Sequence, residues 1–156
     1  MKDLTTEKSL ASMEIDDRLF FRFFQTANTV HTKGTQALEQ FGVTTQQWSV
    51  MGALSRPQAA GGMSVNELTH FLLVSRQNLA GLLNRLERGG IVEKHIGSTD
   101  RRSRTVRLTK AGQALWTAMQ ETIHKFYDDV LKDFSFDDRL AFMHHISLLQ
   151  RNMKSL

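Results

Sequence analysis

The chain has 156 residues, enough for one domain with a substantial core. Its 20 Lys and Arg against 16 Asp and Glu leave a formal net charge of +4, which favours a polyanionic partner without naming one. No cysteine is present, so disulfides and thiol redox sensing are excluded.

Residues 1–13 are polar and read as a flexible N-terminal arm. Their MKDLTTEKSL start lacks the apolar centre of a secretion signal. No apolar run further on is long enough to span a bilayer, so a soluble, cytoplasmic protein with no membrane partner is expected. From Ile15 a helical stripe begins: Ile15, Leu19, Phe23, Ala27, Val30, Gly34, Ala37 and Leu38. Phe20, Phe21 and Phe24 widen it beyond what one small neighbour would cover. Burial on two sides follows, against its own domain and against a second copy. The plainer alternative is a central core helix.

Phe41-Gly42-Val43 breaks that helix, and Thr44 with Gln47 fits a capping box for the next one, which carries Trp48, Met51 and Leu54. Pro57 to Gly62 reads as a connecting loop. Its two glycines lack a following Lys-Ser/Thr, so it is no phosphate cradle. Ser64 with Glu67 fits a second capping box, ahead of Leu68, Phe71 and Leu72. Ser75 is the next N-cap, followed by Leu79, Leu82, Leu83 and Leu86 at helical spacing. Gly89-Gly90 ends that helix. Ile91 to Ile96 and Thr105 to Leu108 read as strands around a basic turn, and Thr109 caps a helix reaching about Lys132. Ser135 opens the last helix, with Leu140, Met143, Ile146, Leu149 and Met153 as its stripe.

Two short helices and a basic hairpin suit a DNA duplex. Arg76, Gln77 and Asn78 open the second helix, where arginine can pair with guanine, and glutamine or asparagine with adenine, in the major groove. Arg101, Arg102 and Arg104 crowd the hairpin, which suits a narrow, negative minor groove. Asp100 either shapes that turn or pairs with an arginine and holds it for the groove. Arg85 and Arg88 are either phosphate contacts or a solvated face. The expected fold is mainly α with a small β-wing: a winged helix-turn-helix lobe over 41–109, flanked by dimerisation helices over 14–40 and 110–156, all within one domain over 14–156.

The residues Asp100, Arg102 and Thr109 fit the D-x-R-x6-T wing signature of the MarR (multiple antibiotic resistance regulator) family. LERGGIV, RLTKAG and the Ser-Arg-Gln opening of the second helix match the same pattern. The chain resembles that family over nearly its whole length. The resemblance implies a homodimer bound to a pseudo-palindromic operator. It also implies repression relieved by a small effector, commonly an aromatic carboxylate. DNA contacts are then expected from Ser64, Ser75, Arg76, Gln77, Asn78, Arg85, Asp100, Arg101, Arg102 and Arg104. By the same resemblance Phe23, His31, Trp48 and Met51 would line an effector pocket, with Arg18 or Arg22 neutralising a carboxylate. His31 reads equally well as a core histidine, and Trp48 as core.

Catalysis finds no support: H-E-x-x-H, G-x-S-x-G and a cysteine nucleophile are all missing. The adjacent His144 and His145 diverge on a helix, so neither a metal nor a cofactor is expected. The competing readings are a ligand-independent or architectural DNA-binding protein of the same fold, and a protein-binding winged helix. The arginines of the hairpin speak against the second.

Overall fold

The computed structural model describes residues 4–96 and 104–156, with side chains over 12–95 and 105–156. Helix α1 spans Leu4–Ala37 and runs through a 3-10 turn at Glu39–Phe41 into α2, Thr45–Leu54. A second 3-10 turn, Pro57–Ala59, leads to the short strand β1, Met63–Ser64. Helices α3 (Val65–Leu72) and α4 (Arg76–Arg88) follow, then strands β2 (Val92–Ile96) and β3 (Arg104–Leu108). Helices α5 (Lys110–Val130) and α6 (Phe136–Met153) complete the chain. Residues 1–120 and 121–156 form two compact units, with the boundary inside α5. The fold is thus mainly helical with a three-stranded antiparallel sheet ordered β1-β3-β2.

The helix starts are set by local chemistry. The Thr44 hydroxyl accepts from the Gln47 amide while the Gln47 side chain accepts from the Thr44 amide. Ser64 and Glu67 exchange the same pair of bonds, and so do Ser135 and Asp138. Each box satisfies two amides that a helix start leaves orphaned. The Ser64 amide, then its hydroxyl, hold the Glu67 carboxyl below its ordinary pKa. Ser75 caps α4 by accepting from the Asn78 amide. Gly90 takes the left-handed conformation after α4, at φ 69°, while Gly89 stays right-handed. Leu73, between α3 and α4, is left-handed without being glycine, at φ 55°.

The core of the first unit gathers the apolar faces of three helices onto the sheet. Val50, Met51, Leu54, Leu68, Leu79, Leu82, Leu83 and Leu86 are buried with Val92, Val106 and Leu108. Each large aliphatic side chain so buried contributes about 1.5–3 kcal/mol. The β2–β3 register sets Val92 opposite Leu108 and Glu93 opposite Arg107. One face of the hairpin thereby buries Val92, Val106 and Leu108, with Lys94 at its exposed end, and the other carries an Arg107–Glu93 ion pair of 2.7 Å.

Three features differ from the expected layout. Helix α1 reaches back to Leu4, so residues 4–13 continue the helix rather than forming a separate arm. Strand β1 was not expected. Its two residues pair with Val106 and Thr105, far along the chain, and leave no local period. The stripe of α1 is not buried against its own chain along most of its length: every residue over 12–33 is exposed, and only Gly34 and Leu38 are buried.

Thr109 joins the end of α4, the start of β2 and the first turn of α5. Its hydroxyl lies 2.6 Å from the Gly90 carbonyl, to which it donates, and accepts from the Gly112 amide at 3.0 Å. Its own amide donates to the Ile91 carbonyl. A methyl at Gly112 would fall 2.1 Å from the Ile91 oxygen, so only glycine permits this approach. Thr109→Val keeps the shape and removes the hydroxyl. It should lower the unfolding free energy by about 1–3 kcal/mol, the range for unpairing a partly buried polar group, as read from urea titrations.

Candidate nucleic-acid interface

Packing of α3 against α4, with the turn at Leu73 between them, leaves the first turn of α4 free of the core. Its Leu79 is fully buried, while Arg76, Gln77 and Asn78 are exposed. The helix is therefore held by its far face and offers three polar side chains at its N-terminal end. Gln77 and Asn78 make no side-chain hydrogen bond among the described residues. Arg76 donates through Nη2 to Asn66 Oδ1 on α3. Ser75 is consumed as the cap, and Ser64 by its capping box, so the hydroxyls of both are helix-forming groups first.

The cations of this lobe fall into two classes. Lys94 is paired with Glu87 at 2.8 Å and Arg107 with Glu93 at 2.7 Å, so their charge is partly offset within the protein. Arg76, Arg85 and Arg88, all on α4, have no carboxylate partner among the described residues. Arg85 lays its Nε against the Gly81 carbonyl and Arg88 its Nε against the Asn84 carbonyl, which steadies both side chains without neutralising them. Asp100, Arg101 and Arg102 lie outside the described residues. Of Arg104 the structure describes only its backbone place at the start of β3.

The residues expected around an effector do not converge within one chain. His31 and Trp48 come to the joint of α1 and α2. There the His31 ring nitrogen Nδ1 is hydrogen-bonded to the Thr45 hydroxyl, which the Thr35 hydroxyl also approaches. Gly34 makes this contact possible, since a Cβ there would meet the Thr45 methyl at 2.5 Å. Trp48, one turn along α2, has its indole nitrogen buried with no hydrogen-bond partner. One turn further, Gly52 packs against the Trp116 ring of α5. Met51 is fully buried in the core, and Phe23 is 45% exposed on α1. Arg18 and Arg22 line an open groove of about 310 Å³ with Phe21 and Gln25. At about 100° per residue, the nine residues from Arg22 to His31 put the two on opposite faces of α1.

A three-helix lobe with a β-hairpin, an exposed polar helix start and uncompensated arginines along that helix is built to lie against a duplex. Comparison with known proteins agrees. The sequence profile of the MarR family matches residues 41–103, which run from the end of the first 3-10 turn to just before β3. The chain is 50% identical over 94% of its length to the transcriptional activatory protein BadR of Rhodopseudomonas palustris, of which it covers 84%. It is 28% identical over 69% of its length to the homoprotocatechuate degradative operon repressor of Escherichia coli, of which it covers 70%. Among solved structures it resembles the DNA complex of MepR from S. aureus, with a TM-score of 0.75 at 20% identity, covering 85% of this chain and 94% of that one.

The two classes of cation predict different salt responses. Each neutralised phosphate releases counterion, so Arg85→Gln should reduce the log–log salt slope of DNA binding by about one for every phosphate that the arginine neutralises. Lys94→Gln should change it less, because Glu87 already shares that charge. Equal slopes for wild type and Arg85→Gln would place Arg85 away from the phosphates.

Proposed function

The chain belongs to the MarR family of DNA-binding transcriptional regulators and is not an enzyme; on that footing we propose that it works as a homodimer whose grip on a pseudo-palindromic operator is altered by a small aromatic carboxylate. The observation that carries the effector is the Trp48 indole N–H. A buried donor left without an acceptor costs about 1–3 kcal/mol. A carboxylate or carbonyl oxygen entering beside the His31–Thr45 joint would remove that penalty and leave the Trp48 ring as an aromatic wall. The name of the Escherichia coli relative, which links it to homoprotocatechuate degradation, supports an aromatic acid. Repression is the expectation from the resemblance. The relative sharing half of its residues is described as activatory, and we read the sign of regulation as activation on that ground. A reporter driven from the bound operator decides it: expression that rises on deleting the regulator would return the reading to repression. The protein would act in the cytoplasm, where its DNA is.

The homodimer rests on exposed apolar surface. Ile15, Leu19, Phe20, Phe21, Phe23 and Phe24 of α1 are all 45–70% exposed. On α6, Leu140, Phe142 and Met143 are 44–60% exposed. Apolar surface on this scale in a DNA-binding regulator supports an association face there. Phe24→Asp should shift the sedimenting species from twice to once the 17.8 kDa chain mass at micromolar concentration. A wild type that sediments as a monomer there would end the dimer reading.

Homoprotocatechuate and 4-hydroxybenzoate are the first probes. Either should raise the thermal stability of the protein and lower its operator affinity, and operator DNA should lower probe affinity by the same factor. Trp48→Phe keeps an aromatic ring, smaller than the indole, and deletes the donor. It should weaken probe binding by about 1.5–3 kcal/mol, the range for a hydrogen bond to a charged group. Probe affinity that is identical with and without operator would reject the coupling.

A further inference from the structure

The three residues that open α4 are not equivalent. Gln77 and Asn78 carry unengaged amides among the described residues. The Arg76 guanidinium is bound through Nη2 to Asn66 Oδ1. Asn66 is the second residue of α3 and lies inside the Ser64–Glu67 capping box, whose two reciprocal bonds fix the backbone on either side of it. Its carbonyl accepts from the Thr69 hydroxyl at 2.8 Å and from the His70 ring Nδ1 at 2.9 Å. The main chain of Asn66 is thus held at the helix start, and its side-chain oxygen is committed to Arg76.

We propose that Asn66 is a specificity-determining positioning residue: it orients the Arg76 guanidinium so that the remaining N–H donors read a guanine edge rather than settling on a phosphate. The proposal rests on the reading of α4 as the helix that enters the major groove. Guanidinium is a planar fork with five N–H donors, and bidentate recognition of guanine O6 and N7 needs that plane fixed. An arginine on a free side chain satisfies itself equally well on any phosphate, which carries no sequence information. The chemistry of the partner matters here. A carboxylate at this position would orient Arg76 but also offset part of its charge, as Glu87 does for Lys94 and Glu93 for Arg107. The neutral amide oxygen of Asn66 orients without discharging. Arg76 therefore meets the duplex with its full charge and one defined plane, two properties that a salt bridge cannot supply together.

The test is binding selection on a randomised operator with the full-length protein, alongside salt titration and thermal melts. The variants are Asn66→Ala, Asn66→Asp, Arg76→Ala and the double variant Asn66→Ala/Arg76→Ala. Asn66→Ala should lower the preference for guanine at one position of each half-site by roughly five- to twentyfold, within the range a bidentate contact supplies. Its melting temperature should stay at the wild-type value, and its salt slope should be no shallower than wild type, because the released Arg76 settles on a phosphate. Asn66→Asp should keep the preference while weakening binding and flattening the salt response. Arg76→Ala should abolish the preference and flatten the slope, and adding Asn66→Ala to it should change nothing more. Loss of the guanine preference in Arg76→Ala but not in Asn66→Ala overturns the positioning role and leaves Arg76 as the base reader. A uniform fall at all positions together with a lower melting temperature in Asn66→Ala also overturns it, as a structural effect. An Arg76→Ala protein with every base preference intact removes the underlying reading, and the proposal with it.

Discussion

One threonine hydroxyl stands where three elements meet. The Thr109 side chain holds the Gly90 carbonyl behind α4 and takes up the Gly112 amide at the head of α5, while its backbone secures Ile91 ahead of β2. Helix α4, the hairpin and α5 are therefore indexed to a single residue. The close packing of Gly112 on the Ile91 carbonyl leaves no slack at this point, since not even a methyl group fits. A displacement of the first turn of α5 would act directly on the Ile91 carbonyl, next to the end of α4. Under the effector reading proposed above, such a joint is the useful kind, because packed interiors switch between arrangements rather than deform smoothly.

The polar interactions divide by purpose. Capping boxes at Ser64, Thr44 and Ser135 satisfy helix starts and are closed within a turn of chain. The exposed ion pairs of the hairpin contribute little stability, since surface pairs are worth about 0–1 kcal/mol. Their effect is on the distribution of charge: they leave Arg76, Arg85 and Arg88 of α4 without a carboxylate partner among the described residues. Against this background the Trp48 nitrogen is conspicuous as the single side-chain donor that is buried and unpaired among the described residues. It lies on the same face of α2 as Thr45, which packs on Gly34 of α1, and Gly52, which packs on Trp116 of α5.

Most of the fold was legible because its determinants are local. Ser64 with Glu67, Thr44 with Gln47, and the Ser75 cap each lie within three residues of what they bond, and all were readable from spacing. Strand β1 was not, because its two residues become a strand only by pairing with Thr105 and Val106. The long reach of α1 towards Leu4 was hidden by polar residues that favour helix no less than coil. The placement of Arg18 and Arg22 opposite His31 was within reach of a helical wheel, although the residue types alone grouped them. Asn66 escaped notice inside a capping box, where its neighbours explained the motif and its side chain did not show. The burial of the Trp48 nitrogen carried no sequence signal at all, since a tryptophan at a helical core position reads the same whether or not its nitrogen finds a partner.

Helix α1 also sets an order of events during synthesis. It leaves the ribosome first, with its phenylalanines uncovered, while α6 follows only after the 98 residues between Ala37 and Phe136. At ordinary translation speeds that interval is roughly 5–20 s. Through it the nascent chain carries a long apolar ridge that its own later lobe does not cover. Chaperone occupancy of that ridge would then bear on yield. Expression level and growth temperature would matter to this protein more than its modest size suggests.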